Sequence, residues 1–225
     1  SSDAASPSDA QGWRSCVVGK PNGGVSSGQF GAPCSSSGTT RCSPSNGRPT
    51  CDAAESPTNP QYFRKVFGHL PTGVVVVTGR SLDDELVGVT IGSFASISLD
   101  PPLAGFFIGR ASRSWSLMAA RGKFCANVLA ASQTELCWRF AKDATAGTDG
   151  SDVSRFDGLE VGVSANGSPV LPGVVATIDC DVHAVHSFGD HDLVVGSVTA
   201  LRTLQTDVPA MVFVQGKTGD ARIIL

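Results

Sequence analysis

Three constellations in this 225-residue chain combine residue types and spacings that could do chemistry. Ser112-Arg113-Ser114 precedes the apolar stretch Trp115 to Ala120, which reads as a short helix with Ser112 or Ser114 near its cap. Two hydroxyls, a guanidinium and the amides of a helix start suit a phosphate dianion. A capped helix with an exposed arginine accounts for the same residues. Thr90-Ile91-Gly92-Ser93-Phe94-Ala95-Ser96 places hydroxyls and small side chains where a planar ligand can approach backbone amides, although strands of this composition also occur without a ligand. His183, His186 and His191 form the third group. The first two are three apart, which on a strand turns them to opposite faces and disfavours joint metal binding. His191 follows Gly189-Asp190 in a turn, from which a side chain can point into a cleft.

The common sequence fingerprints are missing: there is no nucleophile elbow, P-loop, H-E-x-x-H or G-x-G-x-x-G. With 17 basic and 20 acidic residues the formal charge is −3, which argues against a dedicated nucleic-acid binder. No apolar run approaches the roughly 20 residues of a membrane-spanning helix. Neither a membrane nor a nucleic acid is therefore expected as a partner.

The seven cysteines divide unevenly. Cys16, Cys34, Cys42 and Cys51 lie in the first 60 residues, about half of which are Ser, Gly, Pro or Asn, a composition of loops and linkers. Two disulfides in one of three pairings, zinc ligation and unpaired thiols all stay open. Spacings of 18, 8 and 9 without a C-x-x-C knuckle make zinc the weakest of these. Cys125, Cys137 and Cys180 sit in apolar stretches and read as small buried hydrophobes. The chain begins at Ser1 with no basic and apolar leader, so its start reads as a processed or trimmed end.

From about residue 59 the elements that must position these groups come into view. Asn59-Pro60 is a cap followed by proline at the first helical position, opening a helix with Tyr62, Phe63, Val66 and Phe67 on one face and an end near Gly68-His69. Val74 to Thr78 is a β-branched run suited to a buried strand. Further strands are expected over Leu86 to Ile91, Phe94 to Leu99, Leu103 to Ile108 and Phe124 to Leu129, with Asp100-Pro101-Pro102 fixing a corner. Ser132-Gln133-Thr134-Glu135 has the pattern of a capping box for a helix through Phe140. Residues 142 to 168 are polar, either a lid or an ordinary surface insertion. Val174 to Val182 alternates with period two, and strands over Leu193 to Leu201 and Met211 to Val214 complete the series. Many short strands, few helices and frequent turns predict a mainly β protein, closed or nearly closed into a barrel.

Taken in order, these segments resemble the flavin reductase-like family, whose fold is an FMN-binding split β-barrel of Greek-key type. The match is carried by Phe63 through Pro71-Thr72-Gly73-Val74, Gly88-Val89-Thr90, Ser93-Phe94-x-Ser96, Ser98-Leu99-Asp100-Pro101-Pro102-Leu103, Phe124-x-x-Asn127-Val128-Leu129, Phe140-Ala141 and Gly189-Asp190-His191. It is similar above all to the short reductases that supply reduced flavin to two-component monooxygenases. The resemblance covers about residues 61 to 220, and with the shift in composition it divides the chain into a cysteine-containing extension, 1–58, and a split-barrel domain, 59–225. It implies that Thr72, Thr90, Ser93, Phe94, Ala95, Ser96 and Asn127 frame the flavin ring, and that Ser112, Arg113 and Ser114 grip its phosphate. His191 falls where the nicotinamide is received and takes a positioning role. FMN or FAD, NADH or NADPH, a monooxygenase partner, a homodimer and a cytoplasmic location are implied with it.

Three functions are then in play. The first is an NAD(P)H:flavin oxidoreductase that releases reduced flavin. The second is a flavoprotein of the same fold that retains FMN or FAD and acts on an organic substrate. The third is a non-catalytic flavin-binding electron-transfer module.

Overall fold

The structure is a computed structural model and describes residues 56–142 and 155–222. Helix α1, Pro60–Phe67, opens as its sequence predicts: Asn59 Oδ1 accepts from the amides of Gln61 and Tyr62, and Gly68 ends the helix. Its apolar face is only partly covered by the described residues. None of its residues is buried, and Phe63 and Phe67 stack on each other with ring centroids 4.4 Å apart.

The strands are β1 (Thr72–Gly73), β2 (Val75–Arg80), β3 (Leu86–Ile91), β4 (Ala95–Leu99), β5 (Pro102–Gly109), β6 (Lys123–Val128), β7 (Gly162–Val163), β8 (Pro169–Val170), β9 (Ala176–Phe188), β10 (His191–Thr203), β11 (Met211–Val214) and β12 (Lys217–Asp220). Helix α2, Arg113–Ala119, follows β5, and helix α3, Thr134–Ala141, follows β6. Seven strands form one sheet in the order β3-β2-β6-β9-β10-β5-β4, antiparallel throughout. Its two end strands, β3 and β4, are consecutive in the chain and joined only by Gly92-Ser93-Phe94. The sheet therefore curls until its ends meet at this corner, and the split between them is an open edge.

The valine run explains the layering. Val75 and Val77 point into the barrel with Val89, Phe106, Phe124 and Val194, while Val74 and Val76 point the other way onto Leu129, Phe140, Leu171 and Met211. A strand buried on both faces reads as a continuous apolar run rather than an alternating one. Two glycines are demanded by this packing. A Cβ on Gly88 would lie 2.8 Å from the Phe140 ring, and one on Gly196 would lie 2.7 Å from Phe124 Cζ.

Three sequence expectations are corrected here. Ser132 caps nothing: α3 begins one residue later, with Gln133 at the cap position and no side-chain cap bond. The Gln133 side chain instead accepts from Ala130 N and donates to Pro172 O, stitching the helix entry to the β8–β9 connection. The alternation of β9 is also incomplete, because Thr177 and Asp179, on the face expected to meet solvent, are buried. Asp179 is covered by the β7–β8 hairpin, where Ala165 N donates to Asp179 Oδ2 and Asn166 Nδ2 donates to the carbonyls of Phe124 and Cys180. That hairpin belongs to the segment read as a lid or insertion. From residue 155 onward it is a packing layer, with Phe156 and Leu171 in the outer core. Residues 143–154 and the four early cysteines lie outside the described residues.

Candidate functional site

The end of β5 organises the site. His191 pairs across the ladder with Gly109, so the turn before β10 lies beside the last residue of β5. The Gly109 carbonyl accepts from Ser112 N at 2.9 Å, and Arg110 N donates to Asp190 O at 3.1 Å. His191 and the Ser112-Arg113-Ser114 segment, 79 residues apart in the chain, are thereby held on one end of the sheet. Two residues back on β5, Phe107 exchanges both of its main-chain groups with Ser93 Oγ, at 2.9 and 3.1 Å. The corner between the end strands is thus tied to the same strand.

Each element has a local reason. Ser112 Oγ accepts from Trp115 N and caps α2, and Trp115 and Met118 anchor that helix in the core. Phe94 packs against the barrel core, its ring 6.3 Å from that of Phe106, so the corner is pinned from below. Ala95 and Ser96 are exposed on β4, an end strand that among the described residues pairs only with β5. Small side chains beside an unpaired strand edge leave main-chain donors and acceptors open to a flat heterocycle, so the residues present fit such a ligand. The His191 ring is oriented by its neighbour, with Nδ1 2.7 Å from Asp190 Oδ1. A carboxylate only accepts, so Nδ1 carries the proton at this contact.

Two expected contacts are revised. Thr90 is fully buried and its hydroxyl donates to Cys137 O at 2.8 Å, beneath α3. Asn127 is also fully buried. Its Nδ2 donates to Val76 O and Thr78 Oγ1, and its Oδ1 accepts from Leu171 N at 3.0 Å. These side chains stay inside the fold because their polar atoms find partners there, Thr90 on an α3 carbonyl and Asn127 on β2 and Leu171. Asn127 therefore shapes the site only by holding β2, β6 and the hairpin together. Thr72 sits apart on β1, which pairs with β11 in a separate sheet, although nearby Val75 lies opposite Ile91 at the corner.

Arg155 is the residue that sequence reasoning missed. From the end of the polar segment its Nη1 donates to Gly88 O at 2.8 Å and reaches Ser114 Oγ at 3.4 Å. The local signal was the apolar series Phe156, Leu159, Val161, which breaks the polar character of the segment and marks a buried anchor. The thiols of Cys125 and Cys180 take no part in nucleophilic chemistry. Burial, with the Asp179 charge adding to it, pushes both upward, Cys180 to about 12 from an ordinary 9.0, so both remain protonated thiols at neutral pH. Among the described residues no three His, Cys, Asp or Glu side chains converge as metal ligands, and no helix is long and apolar enough to cross a membrane.

A sheet split at its own corner, with small polar residues along the split and a serine-flanked arginine at the same end, defines the split-barrel class that the sequence resembles. The comparisons with known proteins agree. The family model described as flavin reductase like domain matches residues 67–222, and the chain belongs to that family. A flavin reductase of Pseudomonas putida is 43% identical over 168 residues, covering 75% of this chain and 94% of that protein. The reductase subunit HsaB of a flavin-dependent monooxygenase from Rhodococcus jostii is 38% identical over 162 residues, covering 72% and 78%. Among solved structures, the NADH:FAD oxidoreductase SgcE6 of Streptomyces globisporus superposes with a TM-score of 0.68 at 30% identity, covering 78% of this chain and all of that one.

Proposed function

We propose that this protein is an NAD(P)H:flavin oxidoreductase that takes FMN or FAD as a substrate and passes the reduced flavin to a partner monooxygenase. The observation that carries the reading is the convergence of the β3–β4 corner, the Ser112–Ser114 segment and His191 on the end of β5. When bound, the flavin supplies the redox chemistry, accepting at its ring the hydride that a reduced nicotinamide gives up. The chain contributes placement. Ala95 and Ser96 offer the ring an open strand edge, with Ser93 and Phe94 fixing the corner's shape; Ser112, Arg113 and Ser114 receive the phosphate. His191, steered by Asp190, positions the nicotinamide, and the buried Thr90 and Asn127 keep the wall behind the ring rigid.

Support for a released flavin comes from the kind of relative found: a flavin reductase and a monooxygenase reductase subunit match most of the domain. The expected result with purified protein is many turnovers of NADH or NADPH that depend on added free flavin. A protein that keeps a yellow flavin through purification and gains nothing from added flavin supports the retaining flavoprotein instead. One that binds FMN without turnover supports the electron-transfer module.

The homodimer is part of the same proposal. Exposed apolar side chains support it: Phe63, Val66 and Phe67 on α1, Leu99, which is 93% exposed, and Phe107 and Phe188 near the site.

A further inference from the structure

We infer that Arg155 is a positioning residue for the flavin phosphate, acting through the hydroxyl of Ser114; this rests on the proposed placement of the phosphate at Ser112–Ser114. Arg155 is half-buried, and its Nη1 faces three acceptors drawn from three elements. Gly88 O on end strand β3 lies at 2.8 Å, Ser114 Oγ in the first turn of α2 at 3.4 Å, and Phe140 O near the end of α3 at 3.4 Å. One guanidinium thus ties the wall of the site to the segment that receives the phosphate. All three contacts come from Nη1, whose two N–H groups serve the short bond to Gly88 O and the longer approaches to Ser114 Oγ and Phe140 O.

The chemistry of the Ser114 contact gives the arrangement a direction. A guanidinium has donors and no acceptor, so Ser114 Oγ accepts here. The one proton of that hydroxyl is then turned away from Arg155. A hydroxyl that accepts from a cation is also a stronger donor, because chained hydrogen bonds polarise one another. Arg155 therefore prepares Ser114 to donate to a phosphate oxygen, without itself touching the flavin ring. The two residues are 41 positions apart, and nothing in the local sequence of either announces the pairing.

The test uses the full chain and two ligands with the same ring, FMN and riboflavin, which lacks the phosphate. Binding is read by quenching of flavin fluorescence. Arg155→Met is expected to weaken FMN by about tenfold to a hundredfold, the range of a lost charge-assisted contact, while riboflavin changes less than about twofold. Arg155→Lys keeps a charge but not the planar guanidinium that places Nη1, and is expected to lose FMN affinity by about threefold to tenfold with riboflavin again unmoved. In a Ser114→Ala background the effect of either substitution on FMN should shrink, since the two residues act as a unit. Should Arg155→Met fail to fold, the Arg155→Lys and Ser114→Ala arms still decide the matter. Parallel losses of FMN and riboflavin would make Arg155 a purely structural brace and overturn the inference, as would no loss of either. Equal affinity of the unaltered chain for the two flavins would instead remove the phosphate placement itself, and that outcome appears before any substitution is made.

Discussion

His191 and Asp190 show how little the side chains must do. Their contact of 2.7 Å fixes one ring nitrogen as a donor and so fixes the orientation of the imidazole at the end of β5. Such a residue acts on placement, and its loss should be felt by the nicotinamide rather than by the flavin. His191→Ala is expected to raise the KM for NADH or NADPH, or to lower kcat, by about tenfold, with flavin affinity unchanged. Unchanged nicotinamide oxidation in that variant would show that the role is misassigned. The two serines of the 112–114 segment repeat the lesson in another form. Ser112 Oγ accepts from Trp115 N and so builds the start of α2, while Ser114 Oγ is met by Arg155, so the two hydroxyls are not equivalent.

At the scale of elements, Asn127 does the most to hold the site together. A single amide joins Val76 and Thr78 of β2 to Leu171 beyond the hairpin, across sequence separations of 44 to 51 residues. Asn127→Leu would leave buried donors and acceptors unmet, and is expected to cost about 2–4 kcal/mol, a Tm lower by about 5–15 °C. A melting curve matching the unaltered chain would refute that. Why the strands were readable in the sequence, and the site only partly, follows from the range of the contacts. Leu86–Ile91 and Met211–Val214 are short apolar runs bounded by turn residues, and they form β3 and β11 with those limits. The cap of α1 is equally local. Asp179 looks outward by alternation, yet Ala165 in the β7–β8 hairpin, 14 residues upstream, meets its carboxylate, and no periodicity encodes that cover. The misplaced start of α3 has the same origin, because Gln133 takes its partner from Pro172. In the site, the Ser112 cap was legible, whereas the inward turn of Thr90 depends on α3, and the reach of Arg155 depends on α2 and β3.

For the molecule as a whole, the boundary expected near residue 58 from composition remains a proposal. The family match begins at residue 67 and ends at 222, and every core residue described lies within the same stretch. A chain lacking residues 1–58 is expected to bind flavin as tightly as the full chain and to sediment as a dimer through the apolar surface that α1 leaves exposed. A lost flavin site would make the extension integral to the barrel. The central claim is that the barrel reduces flavin that it does not keep. The most direct measurement is anaerobic reduction of a large excess of free FMN or FAD by NADH, with a trace of the protein present, followed by the bleaching of flavin absorbance. The account predicts that the whole flavin pool is reduced in step with nicotinamide oxidation, at a rate proportional to the protein added. Reduction that stops after one flavin per protein, or none at all, would contradict it.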